Sequence, residues 1–188
     1  MEILAIILAL LYLLLAARQS VWCWLAGALS CAIYAWLMFH VQLYLESALQ
    51  AIYVLLAGYG WWQWRYGTAS DSAATQVGYS WRWHVIVGVL LALVAALLAW
   101  LMQTYTQADQ VWLDSYTTVY SLFATWLLTR KLFSNWVYWL VIDSAYIYLY
   151  AIKGFEQTAG LYVVYLVLVV YAMWQWRQGQ QQACNSSG

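Results

Sequence analysis

The sequence predicts an all-α membrane protein: seven transmembrane helices, built as two parallel three-helix repeats joined by a linker helix. Three observations predict it. Of 188 residues, 66% are hydrophobic and only 7% are charged, whereas a soluble domain carries about 25% charge and has polar surface to cover itself. Seven apolar stretches approach or reach the roughly 17–25 residues with which a helix crosses a bilayer. The first three of these stretches recur, residue for residue at several positions, in the last three.

The stretches are 3–17, 21–39, 43–64, 83–102, 112–129, 132–152 and 158–176. The first is the shortest, and its Leu-Ala-Ala ending imitates a cleavage region. A signal peptide has a basic segment before its apolar core, and here only Glu2 precedes it. A retained helix is therefore expected. No stretch shows the ten-residue alternation of a membrane barrel. The chain contains no proline, so proline kinks are excluded. Movement must use loops, rigid bodies or glycines, of which Gly27, Gly58 and Gly60 are candidate flexible or close-packing points.

Positive charge sets the orientation. Arg18, Arg65, Arg82, Arg130, Lys131 and Arg177 follow the odd-numbered spans, and only Lys153 falls on the opposite side. The N-terminus is expected outside and the C-terminus in the cytoplasm. Trp22, Trp24, Trp64, Trp81, Trp83, Trp112 and Trp176 lie near span ends, where indoles favour the membrane interface.

Displaced by 112 residues, Arg18 falls on Arg130, Trp24 on Trp136, Tyr53 on Tyr165 and Tyr59 on Tyr171. Trp62-Gln63-Trp64-Arg65 falls on Trp174-Gln175-Trp176-Arg177, identical at all four positions. Both copies begin after an even number of crossings, so they are parallel, related by an axis along the membrane normal. The expected organisation is a first repeat over 1–66, a cytoplasmic loop and linker helix over 67–111, a second repeat over 112–177 and a disordered cytoplasmic tail over 178–188. Parallel three-helix repeats around a lone helix suggest alternating access to a central site, as in the SWEET sugar exporters.

Polar groups inside a span are costly, so their positions are informative. In the sixth span Asn135, Trp139, Asp143, Tyr146 and Tyr150 follow one another at steps of three and four, on one helical face. A mid-membrane carboxyl among Asn, Trp and Tyr is expected to face a substrate rather than a neighbouring helix. The third span carries Glu46, Gln50, Tyr53, Gly60, Trp61 and Trp64. Glu46 is near the outer surface and is equally compatible with snorkelling; Gln50 lies deeper. The seventh span carries Thr158, Tyr162, Tyr165 and Trp176, where the Tyr165 hydroxyl fits cross-helix packing better than a site.

Such a lining suits a small, flat, polar heteroaromatic molecule. Aromatic faces attract cations and stack on rings, and Gln, Asn and Asp hold hydroxyls or an amide. A phosphorylated ligand is disfavoured, because every Lys and Arg sits near a span end. Balanced charge, seven basic against seven acidic side chains, excludes nucleic-acid binding through a basic patch. Cys23 and Cys31 share one apolar run, Cys184 stands apart, and no metal or cofactor motif is present. His40 and His84 sit singly near opposite faces. The seventh span has no lysine for a retinal Schiff base, no phosphate loop is present, and no nucleophile–base pair supports an enzyme.

Leu43-Tyr44-Leu45-Glu46-Ser47-Ala48-Leu49-Gln50, leading to Tyr59-Gly60-Trp61-Trp62-Gln63-Trp64, resembles the PnuC family of vitamin transporters. So does Thr129-Arg130-Lys131-Leu132-Phe133-Ser134-Asn135-Trp136-Val137-Tyr138-Trp139, running on through Asp143 to Tyr150 and Lys153-Gly154. The resemblance covers about Arg18 to Arg177. It implies uptake of nicotinamide riboside across the bacterial inner membrane by facilitated diffusion. It also implies a 3+1+3 homotrimer and a cytoplasmic kinase that traps the product. Thiamine or another cationic vitamin is the alternative cargo, and proton coupling through Asp143 the alternative energetics. The family's site residues would map to Gln50, Trp61, Trp64, Asn135, Trp139 and Tyr150, with Asn135 and Trp139 standing in the Asn-Trp-x-x-Trp motif. Glu46, Tyr53, Asp143 and Tyr146 complete the expected substrate-binding set.

Overall fold

The computed structural model describes residues 1–40, 44–67, 78–105, 110–152, 154 and 156–186. All the secondary structure among them is helical: α1 (Glu2–Ala17), α2 (Cys23–His40), α3 (Tyr44–Tyr66), α4 (Trp81–Tyr105), α5 (Val111–Thr129), α6 (Ser134–Ile152) and α7 (Glu156–Ser186). Seven expected spans are seven helices. The segment 178–188, expected to be disordered, differs: α7 continues to Ser186. Gly179 weakens a helix by only about 1 kcal/mol, no proline stops it, and a long helix already formed propagates at little cost. Lys153 and most of the 67–77 loop lie outside the described residues.

By length and composition alone, α2, α4 and Thr158–Gly179 of α7 can cross a membrane. Helix α1 is apolar but shorter, while α3, α5 and α6 carry the polar residues described below. Helix α4 packs mainly on α5, and its His84 Nδ1 lies 3.1 Å from the Tyr138 hydroxyl of α6. The α4 side chains Val85, Ile86, Val89, Leu90, Leu93, Val94 and Leu97 are exposed, which suits a helix solvated by lipid.

The other six helices close into a ring. Within each half, α1 packs on α2 and α2 on α3, and α5 on α6 and α6 on α7. Between halves, α3 packs on α5 and α7 on α1. The two cross-contacts are the same contact made twice, third helix of one half against first helix of the other.

The repeat holds at the level of single atoms. The turn after α1 puts Gln19 at φ 53°, and the turn after α5 puts Lys131 at φ 53°. Left-handed backbone costs a non-glycine residue roughly 1–2 kcal/mol, and here the same bonds offset it twice. Ser20 N–H donates to Leu15 O at 2.9 Å, and Leu132 N–H to Leu127 O at 3.1 Å. Trp24 meets Trp64 edge-on at 5.4 Å, and Trp136 meets Trp176 edge-on at 5.5 Å. The Trp64 indole N–H donates to Leu128 O at 3.1 Å, and that of Trp176 to Ala16 O at 3.1 Å. Both bonds cross between halves. They give the second tryptophan of the Trp-Gln-Trp-Arg tetrapeptide the same task in both copies.

Two of the three candidate glycines are packing residues. A Cβ at Gly60 would overlap the Trp24 indole, and one at Gly27 would stand 3.0 Å from Tyr12 Cδ2. Around Gly58 there is open space. Gly60→Val is therefore expected to overpack the Trp24 contact and cost about 1–3 kcal/mol. Gly58→Val, on the same helix, is expected to be neutral. Thermal unfolding in detergent checks this: the first variant melts several degrees below the parent and the second with it. Equal midpoints for the two would show that Trp24 yields freely.

Candidate substrate cavity

The ring encloses a cavity of about 470 Å³, within the range of small-molecule sites. It opens where α3 and α5 begin, at the exposed side chains Glu46 and Asp114. It ends on the buried Trp24 and Ala57. Beyond them the buried Trp64, Trp136 and Trp176 fill the space between the halves. The cavity is thus open at one end and sealed by tryptophan at the other.

Its two walls differ in chemistry. Helices α3 and α5, in contact with each other, supply the polar wall: Glu46, Gln50 and Tyr53 from α3, and Asp114, Thr118, Ser121 and Thr125 from α5. The Tyr53 hydroxyl and Ser121 Oγ are 2.5 Å apart, which ties this wall across the halves. Helices α6 and α7 supply the aromatic wall, with Tyr12 of α1 beside them. Tyr146, Tyr150 and Tyr162 stand nearly parallel, with centroids 4.7–6.0 Å apart. The Tyr146 hydroxyl is steadied by donating to Thr117 Oγ1 at 3.0 Å. Trp139 and Asp143 lie one turn apart on the same wall. Asp143 is only 3% exposed, so its carboxyl works in a medium where charge is weakly screened.

Of the expected site residues, the structure brings Glu46, Gln50, Tyr53, Trp139, Asp143, Tyr146 and Tyr150 together around this cavity. It places Asn135, Trp61 and Trp64 elsewhere. Trp64 is in the seal, bonded to Leu128 O. Trp61 stands edge-on to Trp22 at 5.2 Å, on the α2–α3 side. Asn135 is fully buried below the cavity floor, where its Nδ2 donates to Leu132 O at 2.7 Å and caps the turn before α6. The reason is depth. The α3 and α6 stripes run along faces longer than the cavity, and their ends pass its floor.

The α5 contribution was visible and not recognised. Asp114, Thr118, Ser121 and Thr125 follow at steps of four, three and four, on one helical face. Threonine and serine barely lower the hydropathy of a span, so the stripe is quiet beside the Asp and Gln of its neighbours. Tyr162 and Tyr165 also line the cavity, although packing was the favoured reading for Tyr165. Under the 112-residue displacement Asp143 corresponds to Cys31 and Trp139 to Gly27, both cavity residues. The Tyr12 ring fills the space that Gly27 leaves, and the counterparts of this pair are Ala124 and Trp139. In each half the pair thus holds one large aromatic, on opposite members.

Comparison with known proteins decides the family. The family described as "Nicotinamide mononucleotide transporter" matches residues 1–178. The chain belongs to this transporter family. Among its relatives is the riboflavin/roseoflavin transporter RibM of Streptomyces davaonensis, 30% identical over 90% of this chain and 81% of RibM. The nicotinamide riboside transporter PnuC of Escherichia coli is 22% identical over 93% of this chain and 84% of PnuC. The crystal structure of a vitamin B3 transporter PnuC shares the fold, with a TM-score of 0.75 and 22% identity over 96% of this chain and 82% of that one. These relatives and the structural neighbour are vitamin transporters, not enzymes.

Proposed function

We propose that this protein takes up nicotinamide riboside by facilitated diffusion, with alternating access to the cavity between its halves. One observation carries the choice of cargo. Among the described residues, the cavity lining holds three carboxyl side chains, Glu46, Asp114 and Asp143, and no lysine or arginine. A positively charged ring is attracted to such a lining, and the tyrosine wall opposite adds cation–π attraction. A phosphate would be desolvated there with nothing to pair it, at a cost of several kcal/mol. The nucleoside suits the site, and the mononucleotide does not. With the N-terminus outside, the open mouth faces outward and the tryptophan seal faces the cytoplasm. A kinase that phosphorylates the arriving nucleoside would trap it, because the product no longer fits. Assembly as a homotrimer in the bacterial inner membrane belongs to the same reading.

A second reading has its own support. RibM is the more similar of the two curated relatives described, and its name is that of a riboflavin transporter. Riboflavin is neutral and would use the aromatic wall more than the carboxylates. Thiamine, a cation with a hydroxyl, shares the electrostatic argument with nicotinamide riboside.

Calorimetry on the purified protein separates these cargoes. Nicotinamide riboside is expected to bind in the micromolar range or tighter, and nicotinamide mononucleotide at least about 100-fold more weakly, given about 3 kcal/mol or more for an unpaired buried charge. A signal for riboflavin alone, or for thiamine alone, would overturn the cargo and keep the cavity.

A further inference from the structure

We propose that Thr118, Ser121 and Thr125 of α5 form a subsite that reads the hydroxyl groups of the transported vitamin by accepting hydrogen bonds from them. The inference rests on the cavity being the transport site and adds which wall holds which part of the cargo.

The first argument is asymmetry. The halves agree in their turns, their tryptophan pairs and their cross-half hydrogen bonds. They disagree at the first helix of each. Displaced by 112 residues, Thr118, Ser121 and Thr125 correspond to Ile6, Ala9 and Leu13. Helix α1 makes the same helix, the same turn and the same seal contact without any of these hydroxyls. The helix, the turn and the seal therefore do not need them, and a span keeps polar groups that these do not need only at a cost. All three line the cavity.

The second argument is the direction of the hydrogen bonds. Ser121 Oγ donates to Thr118 O at 3.0 Å, and Thr125 Oγ1 donates to Ser121 O at 2.8 Å. A hydroxyl has one proton and two lone pairs. With their protons turned back to the helix, the Ser121 and Thr125 oxygens keep lone pairs for the cavity as acceptors, and Thr118 lines the cavity on the same helical face. The Tyr53 hydroxyl at Ser121 can use one such lone pair, which shows that a hydroxyl fits against this stripe. The stripe extends over about 10 Å at 1.5 Å per residue, enough for a ribose or an open five-carbon chain.

The third argument is placement. The stripe is on the α3–α5 wall and the stacked tyrosines are on the α6–α7 wall. A ligand joining a flat ring to a row of hydroxyls is oriented by this arrangement, ring on tyrosine and hydroxyls on α5. A bare ring would satisfy only one wall.

The test compares two ligands of equal ring and charge. Nicotinamide riboside carries the sugar; 1-methylnicotinamide does not. Affinities are measured by calorimetry on the full chain and on Thr118→Val and Thr125→Val, which keep side-chain shape and remove the acceptor. Ser121→Ala is left aside because Ser121 also meets Tyr53. Each Val variant is expected to bind the riboside about 5–10-fold more weakly, the worth of one hydrogen bond of about 1 kcal/mol. It should bind 1-methylnicotinamide as the parent does and melt with the parent. Equal losses for both ligands would assign the stripe to structure, and no loss for the riboside would remove it from binding; either result overturns the proposal. If the parent binds neither nicotinamide compound, the cargo reading has failed, and the same comparison is made with riboflavin and lumiflavin, which differ by the ribityl chain. A parent that prefers the hydroxylated member of neither pair also overturns the stripe.

Discussion

Replacing Trp64 and Trp176 together with phenylalanine is expected to loosen the sealed end of the cavity more than any other conservative pair of changes. Each indole N–H now serves a carbonyl across the gap between halves, Leu128 O and Ala16 O. These carbonyls sit at the C-terminal ends of α5 and α1, where each also accepts one backbone bond, Leu128 O from Lys131 N–H at 2.9 Å and Ala16 O from Gln19 N–H at 3.0 Å, so the indole occupies the second lone pair. Phenylalanine keeps an edge-on ring against Trp24 and Trp136 and removes the donor. A hydrogen bond lost from a carbonyl that keeps another costs about 0.5–1.5 kcal/mol, so the two together come to about 1–3 kcal/mol. At roughly 2–4 °C per kcal/mol, the thermal midpoint should fall well beyond measurement error. Cys23, fully buried in the same cluster, should become reactive to a small maleimide. Trp62 and Trp174 provide the control. They are equivalent to each other under the same displacement and are 54% and 56% exposed. Trp62→Phe with Trp174→Phe should leave both the midpoint and the Cys23 reactivity unchanged. If this control pair destabilises as much as the first, the cross-half bonds are not what holds the seal.

Two further details bear on the seal. Trp24 Nε1 and Trp136 Nε1 are buried without a hydrogen-bond partner among the described residues. Paired strain at symmetric positions lowers the cost of leaving this packing, which suits a closure that opens and recloses. Lys131 adds charge at the edge. Its ammonium lies 5.0 Å from the centre of the Trp64 ring, and burial pulls its pKa below the ordinary lysine value. Removing the Trp64 indole would weaken that cation–π contact as well.

The sequence displayed the helices, the repeat and most of one cavity wall, each for a physical reason. Spans are visible because lipid demands long apolar runs. The repeat is visible because tryptophans bound to backbone carbonyls across a symmetric gap tolerate little change. Asp143, Trp139, Tyr146 and Tyr150 are visible because a polar face on a membrane helix needs a reason. Depth is not written in helical periodicity. Asn135 and Trp64 continue their stripes by one more turn, and only packing shows that the cavity has ended before them. Trp61 shares a motif with Trp64 but is turned toward Trp22. Hydroxyls are the opposite case. Thr118, Ser121 and Thr125 lie on a clear face, yet they count almost as apolar in a hydropathy reading, and Ser121 and Thr125 bond back to their own helix.

Asp143→Asn is expected to abolish the preference of the cavity for a cation while leaving its shape intact. The substitution keeps the size of the side chain and one acceptor oxygen, removes the charge and turns the other oxygen into an NH2 donor. For a ring cation about 5 Å away, at an effective dielectric constant of about 20, the attraction is about 3 kcal/mol, or a factor of about 100 in affinity. The measurement uses nicotinamide riboside and its uncharged dihydro form, which share sugar and amide. The parent should favour the cation by up to that factor, and the variant should bind the two within a few-fold of each other. Glu46 and Asp114 remain in the variant, but both are exposed at the mouth, where water and salt screen them. Asp143, nearly buried beside Trp139, is the carboxyl whose charge the ligand feels most. If parent and variant show the same ratio for the two ligands, Asp143 is not the counter-ion. Uptake into vesicles then separates its two remaining roles: a proton-coupled carrier loses accumulation when an uncoupler is added, and a passive one does not.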